Sequence, residues 1–297
     1  MRVLLTGATG FIGAHVARVL VEQGAEVHGL TLPGAPRDRL DGIESSIQMH
    51  EGDLSGGAWA RATILEIAPD AALHLAWYAE PGSYLRASPE NMASLRAGMN
   101  VLAALAEGGK CRRVVVAGTC LENLATSQPT IYAASKAAQH QLAMGFTERG
   151  MTAACAHVHY LYGPWEDRRR VVPTVTTSLL RGQRVDLTSG SQSRDYLHVS
   201  DVAAALCRIL VTDATGRVDV CTGKPVALRD VFDEIGRATG KPELLGVGLL
   251  PDSPYDGWPA TGDPTALLAT GWQPRYSLRQ GIEANTAWWA ARLAAER

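Results

Sequence analysis

The sequence predicts an α/β fold in which a doubly wound parallel sheet is followed by a smaller C-terminal α/β lobe. In the first half of the chain, short apolar and β-branched runs alternate with segments whose apolar residues recur at helical spacing. Strands separated by helices of this length pair in parallel, because each connection must cross over the sheet. The run Val114–Ala117 is entirely apolar, which is typical of a parallel strand covered on both faces.

The elements of the first half follow from these patterns in chain order. Ile12, Val16 and Leu20 lie on one face of a predicted helix, which Gly24 ends. Further helices are expected around Ile64–Ile67, around Ser94–Glu107 and from about Ile131 onward. The expected strands are Arg2–Thr6, Ala25–Thr31, Ile47–Met49, Ala71–Leu75, Arg113–Ala117 and Ala153–His159.

The second half of the chain has a less regular pattern, because prolines and glycines interrupt it. Ser200 is placed to cap a helix, and Ser277 with Gln280 forms a capping box for the last helix. We expect a first domain over residues 1–158 and a second lobe over residues 159–297, from which residues 196–220 return to the first domain's core. The cleft between two such lobes is where α/β enzymes usually bind ligands.

Composition and charge exclude several classes of protein. The 297 residues are 46% apolar and 20% charged, and a formal net charge of −2 provides no broad basic field for nucleic acid or an anionic membrane. No apolar run approaches the roughly 18–20 residues that span a bilayer. The opening segment lacks the cleavage site of a signal peptide, so a cytoplasmic protein is expected.

Cysteines and histidines do not predict a metal site. The cysteines are widely spaced and form no CxxC pair, which is typical of a reducing compartment. The histidines lack metal-ligand spacing with a partner carboxylate, and His157 and His159 alternate along a strand as packing or cleft residues do. We therefore expect no metal. The cysteines are Cys111, Cys120, Cys155, Cys207 and Cys221.

A glycine loop follows the first predicted strand. Gly7 permits a tight turn, Gly10 lets a pyrophosphate approach the backbone, and Gly13 lets the next helix pack closely on the strand. The N-terminus of that helix then holds the anion. A purely structural turn is the alternative, but a position at the first strand-to-helix connection favours a dinucleotide-binding Rossmann domain.

The end of the second strand predicts which dinucleotide binds. Loops that bind NAD usually carry an acidic residue about 20 positions further on, which holds the ribose 2′-hydroxyl. Here the strand ends at Thr31 without an acid, and Arg37 and Arg39 follow. Because arginine can bind a 2′-phosphate through two hydrogen bonds, we predict NADP(H), with NAD as the second choice. A solvated basic loop is the alternative role for both arginines.

A tyrosine and a lysine lie four residues apart on one predicted helix. Tyr132 and Lys136 therefore share a helix face, and a neighbouring ammonium lowers the pKa of a phenol by favouring phenolate. Thr119 follows a predicted parallel strand, so its hydroxyl is expected at the ligand crevice. An exposed helix face is the alternative for the pair, but its conjunction with Thr119 and the glycine loop favours acid–base chemistry.

These motifs, in this order, resemble the extended short-chain dehydrogenase/reductase family, in particular its nucleotide-sugar epimerase, dehydratase and reductase branch. The likeness covers nearly the whole chain and is specific for the superfamily rather than for one substrate. The matching blocks are Thr6–Gly13, Gly52–Leu54, His74–Ala76, Tyr132–Lys136, Leu161–Pro164, Arg194–Val202 and Thr270–Pro274.

The resemblance implies roles for the matched positions. Tyr132 would exchange the proton, Lys136 would bind the nicotinamide ribose, and Thr119 would hydrogen-bond the reacting oxygen. Arg194 would bind a nucleotide diphosphate, with a structural ion pair as the alternative, and Tyr160 would contact the substrate. The implied cofactor-binding positions are Gly7, Thr9, Gly10, Phe11, Ile12, Gly13, Asp53, Leu54, Leu75 and Ala76, together with Tyr132 and Lys136.

Departures from the family's pattern favour one of its reactions. Dehydratases of this branch resemble one another in an Asp-Glu pair after the strand-end threonine, where this chain has Cys120 and Leu121. The blocks Gly118–Asn123 and His159–Pro164 look most like those of nucleotide-linked 4-keto-6-deoxysugar reductases. We therefore predict an NADPH-dependent ketoreductase. A nucleotide-sugar epimerase with bound NAD and a non-catalytic dinucleotide-binding regulatory protein are the alternatives.

The resemblance also implies a homodimer, because helices that carry the active site in this family commonly pair across a two-fold axis. The helices predicted at Ser94–Glu107 and Ile131–Phe146 offer more apolar residues than one buried face requires. Examples are Leu102, Leu105, Leu142 and Met144.

Overall fold

The structure is a computed structural model that describes residues 1–124, 130–252 and 262–296. The strands described are β1 (Arg2–Thr6), β2 (Glu26–Thr31), β3 (Ile47–Glu51), β4 (Ala71–His74), β5 (Arg113–Thr119), β6 (Thr152–Val158), β7 (Tyr160–Tyr162), β8 (Val185–Asp186), β9 (Ser193–Arg194), β10 (Tyr196–His198), β11 (Gly216–Val220), β12 (Val226–Ala227) and β13 (Leu245–Gly246). The α-helices described are α1 (Phe11–Glu22), α2 (Ala58–Ile67), α3 (Ser88–Gly108), α4 (Ile131–Gly145), α5 (Val171–Leu180), α6 (Val199–Leu210), α7 (Leu228–Thr239), α8 (Thr265–Leu268) and α9 (Leu278–Ala295).

Seven of these strands form one sheet, in the order β11-β6-β5-β4-β1-β2-β3. Every neighbouring pair is parallel, which confirms the predicted doubly wound fold. The strand order runs outward from β1 in both directions, so the topological switch point lies between β1 and β4. In sheets of this kind, ligands bind beyond the carboxyl ends of the strands at that point.

The described residues divide into two compact units. Unit 1 holds residues 1–158, 203–220 and 265–272, and thus the whole seven-stranded sheet. One buried cluster of this unit packs α2, α3 and α4 against the sheet, with Ile64, Leu102 and Val114 among its members. All seven residues of β5 are buried, as expected of a parallel strand covered on both faces.

Unit 2 holds residues 159–202, 221–264 and 273–297 where they are described. Its described residues form three short strand pairs, β7 with β10, β9 with β12 and β8 with β13. Its core is formed by apolar residues of α5, α7 and α9, including Val175, Phe232 and Ile282. Ser277 and Gln280 form the predicted capping box at the start of α9.

Two predicted boundaries are wrong. Helix α3 begins at Ser88 rather than Ser94, because Pro89 is compatible with a first helical turn and Asn91 bonds back to the Ala87 carbonyl. Ser200 lies inside α6 and does not cap it; its backbone N–H instead donates to Nδ1 of His198, at 3.3 Å. None of the helices in the described ranges has the length and apolar character needed to cross a membrane.

Candidate active site

The glycine loop connects β1 to α1 with the geometry that an anion site requires. Gly7 adopts a φ of +72°, and a Cβ there would lie 2.9 Å from the backbone nitrogen of Ala76. A Cβ on Gly13 would collide with the Gly7 carbonyl oxygen. No described side chain caps the N-terminus of α1, and its first turn contains no acidic residue. The residues therefore fit a dinucleotide whose pyrophosphate lies against this helix end.

Thr6 joins the two strands at the switch point. Its hydroxyl accepts hydrogen bonds from the backbone N–H groups of Leu75 and Ala76, both at 3.1 Å, and bonds with Nδ1 of His74 at 2.8 Å. The turn after β4 is thereby held beside Gly7. Leu75 and Ala76 therefore lie next to the glycine loop. A dinucleotide that extends along this edge of the sheet would contact them there.

Polar contacts also order the loop that follows β3. The Asp53 carboxylate accepts hydrogen bonds from the backbone N–H and the hydroxyl of Ser55, both at 2.8 Å. Asn100 donates to the carbonyl of Leu54 at 2.8 Å, so α3 holds this loop in place. Asp53 itself is exposed and Leu54 is buried, a placement that leaves the carboxylate accessible.

The two arginines after β2 have different partners. Arg37 forms ion pairs with Glu44 and Glu51, at 2.8 and 2.6 Å. Arg39 instead lies beside the glycine loop, where its Nη1 donates to the Thr9 carbonyl at 3.4 Å. The prediction that both arginines bind the cofactor is therefore weakened for Arg37, because two carboxylates occupy its guanidinium.

The strand-end residue Thr31 also contacts the glycine loop. Its hydroxyl lies 3.1 Å from that of Thr9, so the end of β2 is hydrogen-bonded to the loop that follows β1. Thr31 is 8% exposed. A small neutral side chain thus stands where NAD-binding loops usually carry an acid.

Thr119, Tyr132 and Lys136 are brought together in unit 1. Thr119 ends β5, and its hydroxyl accepts from the Leu121 backbone N–H at 3.3 Å. The Thr119 side chain is near enough to the Tyr132 phenol to lower its pKa, against the larger effect of burial. Lys136 is 4% exposed, and its ammonium donates to the carbonyl of Ala117 in β5 at 2.8 Å.

Two aromatic residues that the sequence did not single out surround this group. The Trp77 ring lies under the Lys136 ammonium, 3.9 Å from Nζ to the ring centroid. The Tyr84 ring meets that of Tyr132 edge to face, with centroids 4.9 Å apart. Asn91, fully buried, fixes both: it accepts from the Trp77 indole at 2.9 Å and donates to the Tyr84 carbonyl at 2.7 Å. The segment between β4 and α3 contacts Tyr132 only in the folded chain, so these contacts could not be predicted from the sequence.

Burial dominates the electrostatics of the pair. Burial raises the pKa of Tyr132, with the Thr119 side chain opposing it, and burial lowers the pKa of Lys136 to about 8. The expectation that Lys136 lowers the pKa of Tyr132 is therefore wrong for this structure. The ammonium is directed to the Ala117 carbonyl and the Trp77 ring, and the phenol lies in an apolar aromatic setting.

A buried polar cluster lies next to Thr119, and sequence reasoning missed it. Glu122 Oε1 accepts from the Thr119 backbone N–H at 2.9 Å, while Glu122 Oε2 lies 3.2 Å from His140 Nδ1 and 3.0 Å from His157 Nε2. Burial raises the pKa of Glu122, but the contacts with His140 and His157 outweigh it and lower the pKa to about 2. Glu122, His140 and His157 are separated in sequence by 18 and then 17 positions, so no local sequence motif predicts that they meet.

In unit 2, the predicted substrate residues Tyr160 and Arg194 lie together. The Arg194 guanidinium carbon is 5.1 Å from the centroid of the Tyr160 ring, and Arg194 is 6% exposed. Its Nη1 also donates to the Ser193 carbonyl at 2.8 Å. The fully buried carboxylate of Asp195 accepts from Thr222 and Gly223 backbone N–H groups, at 2.9 and 2.8 Å.

Comparison with known proteins finds similar chains among nucleotide-sugar reductases, epimerases and dehydratases. Residues 3–221 match the NAD dependent epimerase/dehydratase family. The chain is 25% identical to dTDP-4-dehydro-6-deoxy-D-allose reductase of a Streptomyces species, over 97% of this chain and 95% of that protein. It is 26% identical to UDP-glucose 4-epimerase of Mycolicibacterium smegmatis, over 95% and 96%. The structure of Thermus thermophilus UDP-glucose 4-epimerase in complex with NAD superposes with a TM-score of 0.84 and 27% identity, covering 97% of this chain and 99% of that one.

Proposed function

Because this chain belongs to the NAD dependent epimerase/dehydratase family, we propose that it is an NADPH-dependent reductase of a ketone on a nucleoside-diphosphate sugar. The acid–base groups beside Thr119 carry the proposal. The next two residues, Cys120 and Leu121, are 7% and 6% exposed and offer no carboxyl group. Tyr132 is then the proton donor beside Thr119 among the residues that the structure describes, and ketone reduction needs a single proton donor.

The protein's part in this reaction is to orient the ketone and to donate one proton. A bound nicotinamide dinucleotide supplies the hydride, and the glycine loop, Leu75, Ala76 and Lys136 are the residues that would hold it. Tyr132 donates its phenolic proton to the ketone oxygen, while the Thr119 hydroxyl hydrogen-bonds the same oxygen. Because burial raises the pKa of Tyr132, the phenol remains protonated at neutral pH and acts as the acid.

NADPH is the proposed cofactor rather than NADH. Thr31 places no carboxylate at the end of β2, and Arg39 lies beside the glycine loop. A guanidinium in that place can bind the 2′-phosphate through two hydrogen bonds. Arg37 is not needed for this assignment, since Glu44 and Glu51 hold it.

Arg194 and Tyr160 are the proposed binding residues for the nucleoside diphosphate. The buried guanidinium presents several donors in a rigid plane, which suits phosphate oxygens. Tyr160 supports it through the face of its ring. The names of the reductase and the epimerase matched above specify dTDP- and UDP-linked substrates. A nucleoside diphosphate is therefore common to both substrates.

An epimerase with bound NAD is the second candidate, because the relatives include an epimerase at 26% identity and an epimerase structure at 27%. The deciding experiment is net turnover. The purified chain would be given a nucleotide-linked 4-keto-6-deoxysugar and NADPH, and separately UDP-glucose without added cofactor. Stoichiometric NADPH oxidation with the ketone supports the reductase. Conversion of UDP-glucose without NADPH consumption, and no oxidation with the ketone, would overturn it.

A further inference from the structure

Four metal-ligating side chains of unit 1 converge in the protein interior. They are Glu122 from the turn after β5, His140 from α4, and Cys155 and His157 from β6. One ligand atom from each lies within 4.8 Å of all the others. The side chains of His157 and Glu122 are 2% and 5% exposed, that of His140 is 14% exposed, and Cys155 is 1% exposed. We call these four residues the interior cluster.

Three of the atoms form a triangle that hydrogen bonds alone do not satisfy. Glu122 Oε2 lies 3.2 Å from His140 Nδ1 and 3.0 Å from His157 Nε2, and the two nitrogens are 3.3 Å apart. If both nitrogens donate to the carboxylate, two N–H groups face each other across the third edge. If one nitrogen is the acceptor, it accepts from the N–H of the other ring, but its lone pair then also faces the carboxylate oxygen. With Glu122 ionised, each assignment of protons to the two rings therefore leaves one edge unfavourable.

A cation at the centre would be bound by all three atoms at once, and no two of them would need to share a proton. Zinc bonds to nitrogen and oxygen are about 2.0–2.2 Å long, so neighbouring ligands of a tetrahedral zinc ion lie about 3.3–3.6 Å apart. The observed edges of 3.0, 3.2 and 3.3 Å are close to that spacing. The Cys155 thiol supplies a fourth ligand within reach of the other three.

We propose that Glu122, His140, Cys155 and His157 bind one divalent transition-metal ion of the zinc type. Imidazole, thiolate and carboxylate are the ligands that zinc takes in proteins. On binding, the Cys155 thiol loses its proton to solvent and forms the metal–sulfur bond. The ion's two positive charges then balance one carboxylate and one thiolate, so the buried site is neutral overall.

The surroundings of the interior cluster suit a structural site. His157 Nδ1 faces Asp219 Oδ1 at 3.8 Å, and Arg217 holds that carboxylate at 2.8 Å. A carboxylate behind a metal-bound imidazole fixes the ring and makes it more basic. Gly118 provides the space: a Cβ there would lie 2.6 Å from Glu122 Oε1 and 2.7 Å from Cys155 Sγ.

Glu122 connects the interior cluster to the active site. Its Oε2 belongs to the cluster, and its Oε1 accepts from the Thr119 backbone N–H at 2.9 Å. A bound ion would therefore fix the turn that carries the Thr119 hydroxyl. Four protein ligands leave no open position for substrate, so the ion's role is structural.

Metal retention by the full-length chain tests the proposal. The purified protein would be treated with chelator, incubated with Zn²⁺ or Co²⁺, desalted and weighed by native mass spectrometry. We expect one ion per chain and, with Co²⁺, a thiolate-to-metal charge-transfer band. Failure of the wild-type chain to keep an ion, or a Co²⁺ complex without that band, would overturn the proposal whatever the variants do.

Variants locate the ion. His140→Ala removes the most accessible ligand and Cys155→Ser changes one atom, so both suit the test, with circular dichroism to check folding. Both should lose the ion on desalting, and Cys155→Ser should lose the charge-transfer band. His50→Gln is the matched control, since His50 stacks on His28 outside the interior cluster, and it should keep the ion. Stoichiometric retention by the folded ligand variants would contradict the assignment.

Discussion

At the scale of single residues, the proposed chemistry depends on the phenol of Tyr132. Tyr132→Phe keeps the ring that contacts Tyr84 and Trp77 and removes only the proton donor. We expect NADPH binding to be nearly unchanged and kcat to fall by about 10²–10⁴-fold, the usual contribution of a positioned general acid. Fluorescence titration and steady-state kinetics measure both quantities. Wild-type turnover in this variant would show that the mechanism is wrong.

Cofactor choice depends on one of two neighbouring arginines. Arg39→Ala should weaken NADPH binding and leave NADH binding unchanged, because only NADPH carries the 2′-phosphate. Arg37→Ala is the matched control, since its guanidinium is already held by Glu44 and Glu51. Isothermal titration of both cofactors against both variants checks this. Tighter binding of NADH than of NADPH by the native protein would contradict the assignment and favour the epimerase.

Glu166, in the connection between β7 and α5, makes stability depend on pH. Burial raises its pKa from 4.5 to about 8, against the opposing effect of Arg170. The unfolded chain releases this proton near pH 4.5 and the folded chain only near pH 8, so the free energy of unfolding falls as pH rises between those values. Glu166→Gln should lose this slope in urea titrations at pH 5 to 8. Glu243→Gln, an exposed carboxylate of unit 2, should keep it.

At the scale of elements, Arg194 in β9 tests whether unit 2 binds the nucleoside diphosphate of the substrate. Arg194→Ala should lower kcat/KM on a nucleotide-linked ketone by at least about 100-fold, since charge-assisted hydrogen bonds to the diphosphate are lost. Reduction of a small free ketone, which has no diphosphate, should hardly change. Arg194→Lys should restore part of the loss, because it supplies charge without the planar set of donors. Equal losses on both substrates would identify Arg194 as a structural residue.

The regular elements were predictable from the sequence, and most side-chain partners were not. The strand β1 has the predicted bounds, and β5 extends two residues beyond its apolar run because Gly118 and Thr119 are also buried. Apolar residues recur along a helix or strand with the period of its buried face, which is why such elements can be predicted from sequence. Glu122, His140 and His157 meet only once α4 and β6 pack beside β5. Trp77 and Tyr84 likewise reach Tyr132 through a loop that Asn91 shapes.

At the scale of the whole molecule, the expected homodimer is a prediction that the single chain does not test. Two residues cited for its interface are wrong: Leu102 and Leu105 are 0% and 1% exposed and belong to the core of unit 1. The exposed large apolar side chains of α3 and α4 are instead Met92, Met99 and Leu142, at 48%, 47% and 37%. These three residues are the expected contact surface.

Light scattering checks the assembly. The native protein should have twice the chain mass of 31.7 kDa, because a self-complementary apolar surface is buried when two copies meet. Met99→Glu with Leu142→Glu should shift the mass towards the monomer. Leu249→Glu is the control, since this exposed leucine lies in unit 2, outside α3 and α4. A native monomer at working concentration would rule out the dimer.

The sheet order has a consequence for synthesis of the chain on the ribosome. Strand β11 pairs with β6, although about sixty residues, largely of unit 2, separate them in sequence. A nascent chain that has reached β6 therefore carries six strands and an open hydrogen-bonding edge of mostly buried residues. Exposed edges of this kind pair readily with other chains. The seven-stranded sheet is complete only when residues 216–220 emerge, and unit 1 also includes residues 265–272, so its folding is completed after much of unit 2 has been made.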